Sequence, residues 1–269
     1  MIHILFILVM ITTLFVLSQI KSKYLKIENF LKVRSTEHLS GTDSYAIVIV
    51  EPRKHPNLQY VIENFDVNMD PKWDLYVFHG KNSSQYVIDS TKNVKGRKKF
   101  LYQLEIDNLT SEEYNFMFKQ KEFWDLVDAE NIIVFQTDSV LCGSSPKKIE
   151  DFLDYGYIGC SAGKDINIWK GKWSGAPFYG IGGLSFRKKS FMTKCIKDGK
   201  VDQFFPEDVF YSVCVEDSKN KPTSDVIGDF CTQYSYDHKS FGAHKITDLQ
   251  EKDRKNFLEY CSEASKIDF

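Results

Sequence analysis

Asp138 is the carboxylate in this sequence best placed to do chemistry. It lies just past the apolar run IIVF (residues 132–135), in the segment Gln136-Thr137-Asp138-Ser139. A carboxylate where a buried strand leaves its sheet can hold a divalent cation. Mg²⁺ and Mn²⁺ take oxygen ligands and keep substrate phosphates in their shell. An Asp in this place also closes turns by bonding its own backbone. Further along, Gly182-Gly183 opens GGLSF, and paired glycines let a backbone approach a ligand closely. The preceding stretch, residues 169–180, carries Trp169, Trp173, Phe178 and Tyr179. Aromatic faces of this kind stack on sugars, and they equally fill ordinary cores. Pro206-Glu207-Asp208 precedes an apolar stretch at residues 209–215. Pro suits a first helical turn and the helix dipole favours acids there, so this is a helix start. It also offers a carboxylate able to take a proton from a hydroxyl. His244, in FGAHK, can ligate a metal through a neutral imidazole, and Lys245 can meet phosphate.

These residues need a frame that brings them together. Residues 45–50 (YAIVIV) form a near-continuous β-branched run, as expected of a strand buried on both faces. A helix follows over residues 57–65, with Asn57 as its cap and Leu58, Val61, Ile62 and Phe65 on one side. Further strands are expected at residues 74–78, 100–106 and 132–135, with helical segments from Ser111 onward and over residues 147–153. A strand at 157–159 comes last. The rhythm predicts an α/β fold, a mostly parallel Rossmann-type sheet flanked by helices. Ligands in such sheets sit beyond the carboxyl ends of the strands. Three polar endings therefore converge on one edge: residues 51–55, His79-Gly80 and residues 136–139.

Length and composition bound the rest. The chain has 269 residues, 42% hydrophobic and 14% aromatic, enough for one substantial core. Net charge of -2 and a sequence pI near 6.3 leave no basic footprint for nucleic acid. Residues 2–20 are an apolar run that can cross a bilayer as a helix, which needs roughly 20 apolar residues. We read it as a retained single-pass signal anchor, followed by a stem at 21–43, one domain at 44–250 and a tail at 251–269. A cleaved signal peptide is the alternative, but no Lys or Arg precedes the run. Five basic residues follow it (Lys21, Lys23, Lys26, Lys32 and Arg34), and the positive-inside rule puts the domain on the cytoplasmic side. Two sequons, at Asn82 and Asn108, matter only in a lumen. The side stays open at this stage. Six cysteines show no C-x-x-C spacing, which argues against zinc and leaves disulfides and buried thiols as the two readings.

Order and spacing give a resemblance. A carboxylate ending the fourth strand, a double Gly, an acidic pair opening a helix and a late His resemble the GT-A glycosyltransferase layout. The chain looks especially similar to a GT-A-like family known mainly as a domain of unknown function, with members in large DNA viruses. The stretches that carry this are AIVIVEPRKHPNLQYVIENF, EFWDLV, IIVFQTDSVLC, IEDFLDYGYIG, GGLSFRKKS, FPEDVFYS and SFGAHK. The resemblance implies a metal site with Asp138 as the surviving acid of a DxD motif, Gln136 at its first position, and His244 as second ligand. It makes Asp208 the base and Glu207 the helix brace. Arg53 and His55 would face the nucleotide, and Thr137, Gly182, Gly183 and Trp173 would line the substrate pocket. The chain departs from the pattern at Gln136, at Ile181 before the double Gly, and at Cys160-Ser161. The implied activity is metal-assisted transfer of a sugar from a nucleotide-sugar donor to a hydroxyl of a glycan, protein or lipid, with Mn²⁺ or Mg²⁺ as cofactor. Two alternatives stand beside it: a catalytically degenerate membrane-anchored binder, and a nucleotidyltransferase. The second would carry a Gly-rich loop after the first strand, where EPRKH has no Gly.

Overall fold

Strand β1 (Tyr45–Glu51) is buried along almost its whole length, because both of its faces carry apolar side chains. Ile47 and Ile49 enter one core, while Ala46, Val48 and Val50 enter another. Successive strand residues point to opposite faces, so these two cores lie on the two sides of one sheet. The computed structural model describes residues 44–163, 178–201 and 203–267.

Helix α1 (Leu58–Asn68) follows β1, and then come β2 (Trp73–Gly80), α2 (Ser84–Ser90) and β3 (Lys99–Leu104). Two short helices, α3 (Ser111–Met117) and α4 (Lys121–Asp125), lead to β4 (Asn131–Phe135) and β5 (Ser139–Leu141). The remaining elements are β6 (Tyr157–Cys160), β7 (Ile181–Lys188), α5 (Lys189–Asp198), α6 (Glu207–Glu216), α7 (Ser224–Phe230), β8 (Cys231–Thr232), β9 (Gly242–His244) and α8 (Glu251–Tyr260). The main sheet has the order β3-β2-β1-β4-β7-β6. Its first four strands are parallel, and β7 runs antiparallel to both β4 and β6. The α/β, mostly parallel sheet expected from the sequence is therefore present.

One core face receives Leu58, Val61, Ile62 and Phe65 of α1 together with the small sheet β5-β9-β8. The other receives Phe118, Phe123 and Trp124 and, from α6, Phe210 and Tyr211. Residues 251–267 pack onto the first face, with Phe257 and Cys261 fully buried.

Several local expectations are corrected. The helix foreseen at 147–153 is only a 3₁₀ turn, Ile149–Phe152, entered from an extended Lys148. The stretch around Gly182-Gly183, to which the sequence pattern assigns no element, is the first part of β7. Asn57 sits at the start of α1 without a side-chain cap bond, whereas Thr110 and Glu113 form a capping box on α3. The small sheet was not foreseen, because its strands have only two or three residues.

Of the two cysteine readings, disulfides are the one realised. The pairs are Cys142–Cys261, Cys160–Cys231 and Cys195–Cys214, which use all six. Cys160–Cys231 joins β6 of the main sheet to β8 of the small one. Among the described residues no helix is long and apolar enough to cross a membrane. Residues 2–20, where the sequence places the anchor, lie outside them.

Candidate active site

The carboxyl ends of β1 and β4 open into a cleft of about 630 Å³. Because β7 is antiparallel to β4, with Phe135 opposite Leu184, its first residues lie beside the end of β4. Gly182 and Gly183 thus reach the same rim as Gln136, Thr137 and Asp138. The loop after β1 contributes Arg53 and His55, and the start of α6 contributes Glu207 and Asp208. His244 and Lys245 close the ring. All the described residues proposed for the site from sequence therefore line one cleft. Trp173 lies outside the described residues.

One of the three converging endings does not reach it. His79 is buried, its Nδ1 2.9 Å from the Gly80 carbonyl, and is absent from the cleft wall. Gly80 packs so closely on the Pro52 and Ile106 carbonyls that a side chain there would collide with them. The loop after β3 and the helix it leads into take that place, with Asn108 and Thr110 from the loop and Tyr114 and Asn115 from α3 on the wall. Nothing in those residue types marked them in advance, since Asn and Thr are ordinary loop and cap residues.

Asp138 and His244 are 106 positions apart in sequence, and a strand pairing unites them. In the small sheet Ser139 is the register partner of His244. The Lys245 amide donates to the Asp138 carbonyl at 2.9 Å, with Lys245 in the left-handed region at φ 45°. His244 Nε2 consequently sits 3.1 Å from Asp138 Oδ1 and 3.2 Å from Gln136 Oε1. The His244 ring stands at ion-pair distance from the buried Asp138 Oδ1, which makes no further hydrogen bond among the described residues. Burial disfavours the Asp138 charge, but with no cation in place a proton on His244 Nε2 and, more weakly, Lys245 outweigh it and hold the carboxyl below its ordinary range.

This set fits a divalent cation. A carboxylate oxygen and an amide oxygen converge on one imidazole nitrogen, and the buried carboxylate oxygen has the His244 ring as its near partner, leaving it able to take a cation. Oxygen-rich sets with one imidazole suit Mn²⁺ or Mg²⁺. Among the described residues no group of three His, Cys, Asp or Glu side chains could hold a metal, and the acidic or imidazole donors at this place are Asp138 and His244, with the Gln136 amide oxygen beside them.

The double glycine was expected to let backbone approach a ligand. Its immediate neighbours are the site's own side chains. A methyl group on Gly182 would overlap the Glu207 carboxylate, and one on Gly183 would overlap the His244 ring.

Glu207 and Asp208 divide as their positions on a helix require, since neighbours diverge by about 100°. Glu207 turns inward and pairs with Arg187 at 2.7 and 2.9 Å. Arg187 is fully buried and lies over the rings of Phe118, Trp124, Tyr157 and Tyr211 at 5.0 to 5.8 Å. Its Nε also donates to Ser185 Oγ at 2.9 Å. Burial works against its charge, and the Glu207 carboxylate prevails, holding the guanidinium above its usual range. Sequence reasoning missed Arg187, although an Arg facing the core from a strand of GGLSFR is the signal that was available.

Asp208 faces the cleft and remains partly exposed to it. Burial of its carboxyl group, then the charge of Glu207, pushes it up to about 7. Amide donors from Val209 and Gly182 pull the other way and lose. Arg53 holds Glu51 through two side-chain bonds of 2.8 Å, and about half of its side chain stays open to the cleft.

Residues 101–244 match the family described as "Protein of unknown function (DUF5672)", and the chain belongs to that family. No curated protein matches it by sequence. Among solved structures it aligns with a mannosyltransferase of Pyrobaculum calidifontis in complex with GDP-Man and Mn²⁺, at 13% identity and TM-score 0.42, over 69% of this chain and 56% of that one. It aligns with S. aureus TarS 1-349 at 11% identity and TM-score 0.46, over 84% and 66%. A third is core-mannan synthase A of Aspergillus fumigatus in its Mn/GDP form, at 9% identity and TM-score 0.40, over 68% and 76%. The chain thus spans less than two thirds of the length of the first two. At this level the likeness concerns the course of the chain and carries nothing about substrate.

The Arg187–Glu207 pair yields a stability prediction. Glu207→Gln leaves a buried guanidinium uncompensated and should lower unfolding free energy by about 3–5 kcal/mol in urea denaturation. Replacing both partners with Met should recover much of that loss, because neither charge is then desolvated. A Glu207→Gln loss below about 0.5 kcal/mol, typical of exposed positions, would show that the pair braces nothing.

Proposed function

We propose that this protein is a GT-A-type glycosyltransferase that moves a sugar from a nucleotide-sugar donor to a hydroxyl of a glycan, protein or lipid. The observation that carries the reading is the meeting, in one cleft, of Asp138, His244 and Gln136 with the carboxylate of Asp208. The volume of about 630 Å³ falls within the range of small-molecule sites.

A divalent cation held by Asp138, His244 and Gln136 would neutralise the diphosphate leaving group. Arg53 and Lys245 present further positive charge on the same wall. Asp208 accepts the proton of the acceptor hydroxyl as its oxygen bonds to the anomeric carbon. The bond from that carbon to the diphosphate oxygen breaks, and the diphosphate leaves with the electron pair. An acid near 7 is half-ionised at neutral pH, which suits a general base.

A second reading, a binder without turnover, is favoured by one observation: Gln136 supplies an amide where the resemblance expects a carboxylate. Release of nucleoside diphosphate from any common nucleotide sugar separates the two.

Asp208→Asn should lower turnover by roughly 10² to 10⁴ while leaving nucleoside diphosphate binding intact. The wild-type rate should rise with pH through about 7, as Asp208 ionises. Stability should move the opposite way. A carboxyl raised in the folded state favours folding while protonated, so its contribution is lost as pH climbs from about 4 past about 7. Asp208→Asn should flatten both profiles. A variant with a near-normal rate and an unchanged profile would reduce the acidic pair to a helix start.

We further propose that the domain works on the oxidising side of a membrane in which residues 2–20 anchor it. Pairing of all six cysteines supports this, since disulfides persist in oxidising compartments. In intact cells the denatured, unreduced chain should take up no maleimide and six equivalents after reduction. Six equivalents without reduction would favour the cytoplasmic side that the basic residues after the span suggest.

A further inference from the structure

The imidazole of His244 has two nitrogens, and only Nε2 faces Asp138 and Gln136. Its Nδ1 lies 2.7 Å from Gln233 Oε1, in a contact buried from solvent. Gln233 itself is only 3% exposed. An amide side chain can present either oxygen or nitrogen, so its orientation has to be fixed by something else. Here the fixing group is Asp248, whose Oδ2 accepts from Gln233 Nε2 at 2.9 Å. A carboxylate only accepts, so the amide nitrogen is committed to Asp248 and the amide oxygen to His244. The proton in the Gln233–His244 contact therefore belongs to Nδ1.

We infer that Gln233 is a positioning residue: it keeps the proton of His244 on Nδ1 and turns Nε2 toward Asp138 and Gln136. Resting on the metal reading above, this leaves the Nε2 lone pair for the cation. Histidines that bind metals commonly donate their other N–H to an acceptor, and loss of that acceptor lowers metal affinity by roughly 10- to 100-fold. Asp248 acts one step further out, in the 3₁₀ turn Ile246–Asp248 directly after His244. Lys245 Nζ stands 3.5 Å from the other oxygen of the same carboxylate. The anchor for the ring is thus built on the segment that carries the ring.

Two readouts on the full chain separate this inference from the reading beneath it. The first is the ¹H resonance of the His244 Nδ1–H, observed with ¹⁵N-histidine labelling and assigned by its loss in His244→Asn. It should be downfield and protected in the wild type, with and without Mg²⁺, and lost in Gln233→Leu. The second is Mn²⁺ affinity from the electron paramagnetic resonance of free Mn²⁺, which should weaken roughly 10- to 100-fold in Gln233→Leu. The double variant Gln233→Glu/Asp248→Asn exchanges the acceptor and donor of the outer bond and keeps an acceptor on Nδ1. It should restore the resonance and most of the affinity, a rescue that a purely packing role would not give. No Nδ1–H signal in the wild type, its survival in Gln233→Leu, or unchanged Mn²⁺ affinity in that variant would overturn the inference. A wild type with the signal but no Mn²⁺ binding would overturn the metal reading and leave the orientation assigned.

Discussion

The pairing of Arg187 with Glu207 sits where the sheet, the helix and the cleft meet. Arg187 projects from β7 into a ring of aromatic side chains, shut off from water. A guanidinium in that position is tolerable only if its charge is met and its donors are used. Glu207 meets two of them, Ser185 Oγ takes a third, and the Gly182 carbonyl lies 3.4 Å from Nη2. The pair pins the first turn of α6 to the start of β7 and decides which way that turn faces. With Glu207 turned inward, Asp208 is rotated toward the cleft beside the Gly182 backbone. The charge of Glu207 then contributes to raising Asp208, so one bond sets both the direction and the proton affinity of the candidate base. A helix N-terminus would ordinarily lower a carboxyl. Burial and a neighbouring like charge reverse that here.

The other half of the site is built by hydrogen-bonded strands. β9 has three residues, too few to stand alone, and it is held between β5 and β8. Its pairing with β5 sets His244 against Ser139 and thereby against Asp138. The Cys160–Cys231 bridge and the packing of Phe241 and Ala243 into the core fix this small sheet to the large one. The two glycines at the head of β7 are where both halves touch. One makes room for Glu207 and the other for His244. Larger residues there would push apart the brace and the candidate metal ligand together.

Much of this was legible in the sequence, for particular reasons. The strands of the main sheet announce themselves because burial on both faces demands unbroken apolar runs, as in YAIVIV and IIVF. Asp138 could be singled out because it follows such a run, Asp208 because it opens an apolar helical stretch, and His244 by its imidazole and its late place in the layout that the chain resembles. The double glycine was legible as a close approach but not as a strand, since glycine is depleted in strands and its real neighbours lie far off in sequence. β5, β8 and β9 were invisible because two or three residues hold no period. Arg187 and Gln233 were missed for the same underlying reason: their roles exist only through a partner 20 or 11 positions away. Number and spacing of the cysteines are legible in the chain, whereas connectivity is a property of the fold.

Glycosyl transfer in this cleft requires that Asp138 and His244 hold a cation that in turn holds a diphosphate. Crystals of the protein with Mn²⁺ and a nucleoside diphosphate, measured at the manganese absorption edge, address this in one map. An anomalous peak shared by the Asp138 carboxylate and His244 Nε2 is expected, with the diphosphate oxygens completing its shell and Asp208 lining the same cavity. A nucleotide seated elsewhere, or one seated in the cleft with no peak between those two side chains, would contradict this.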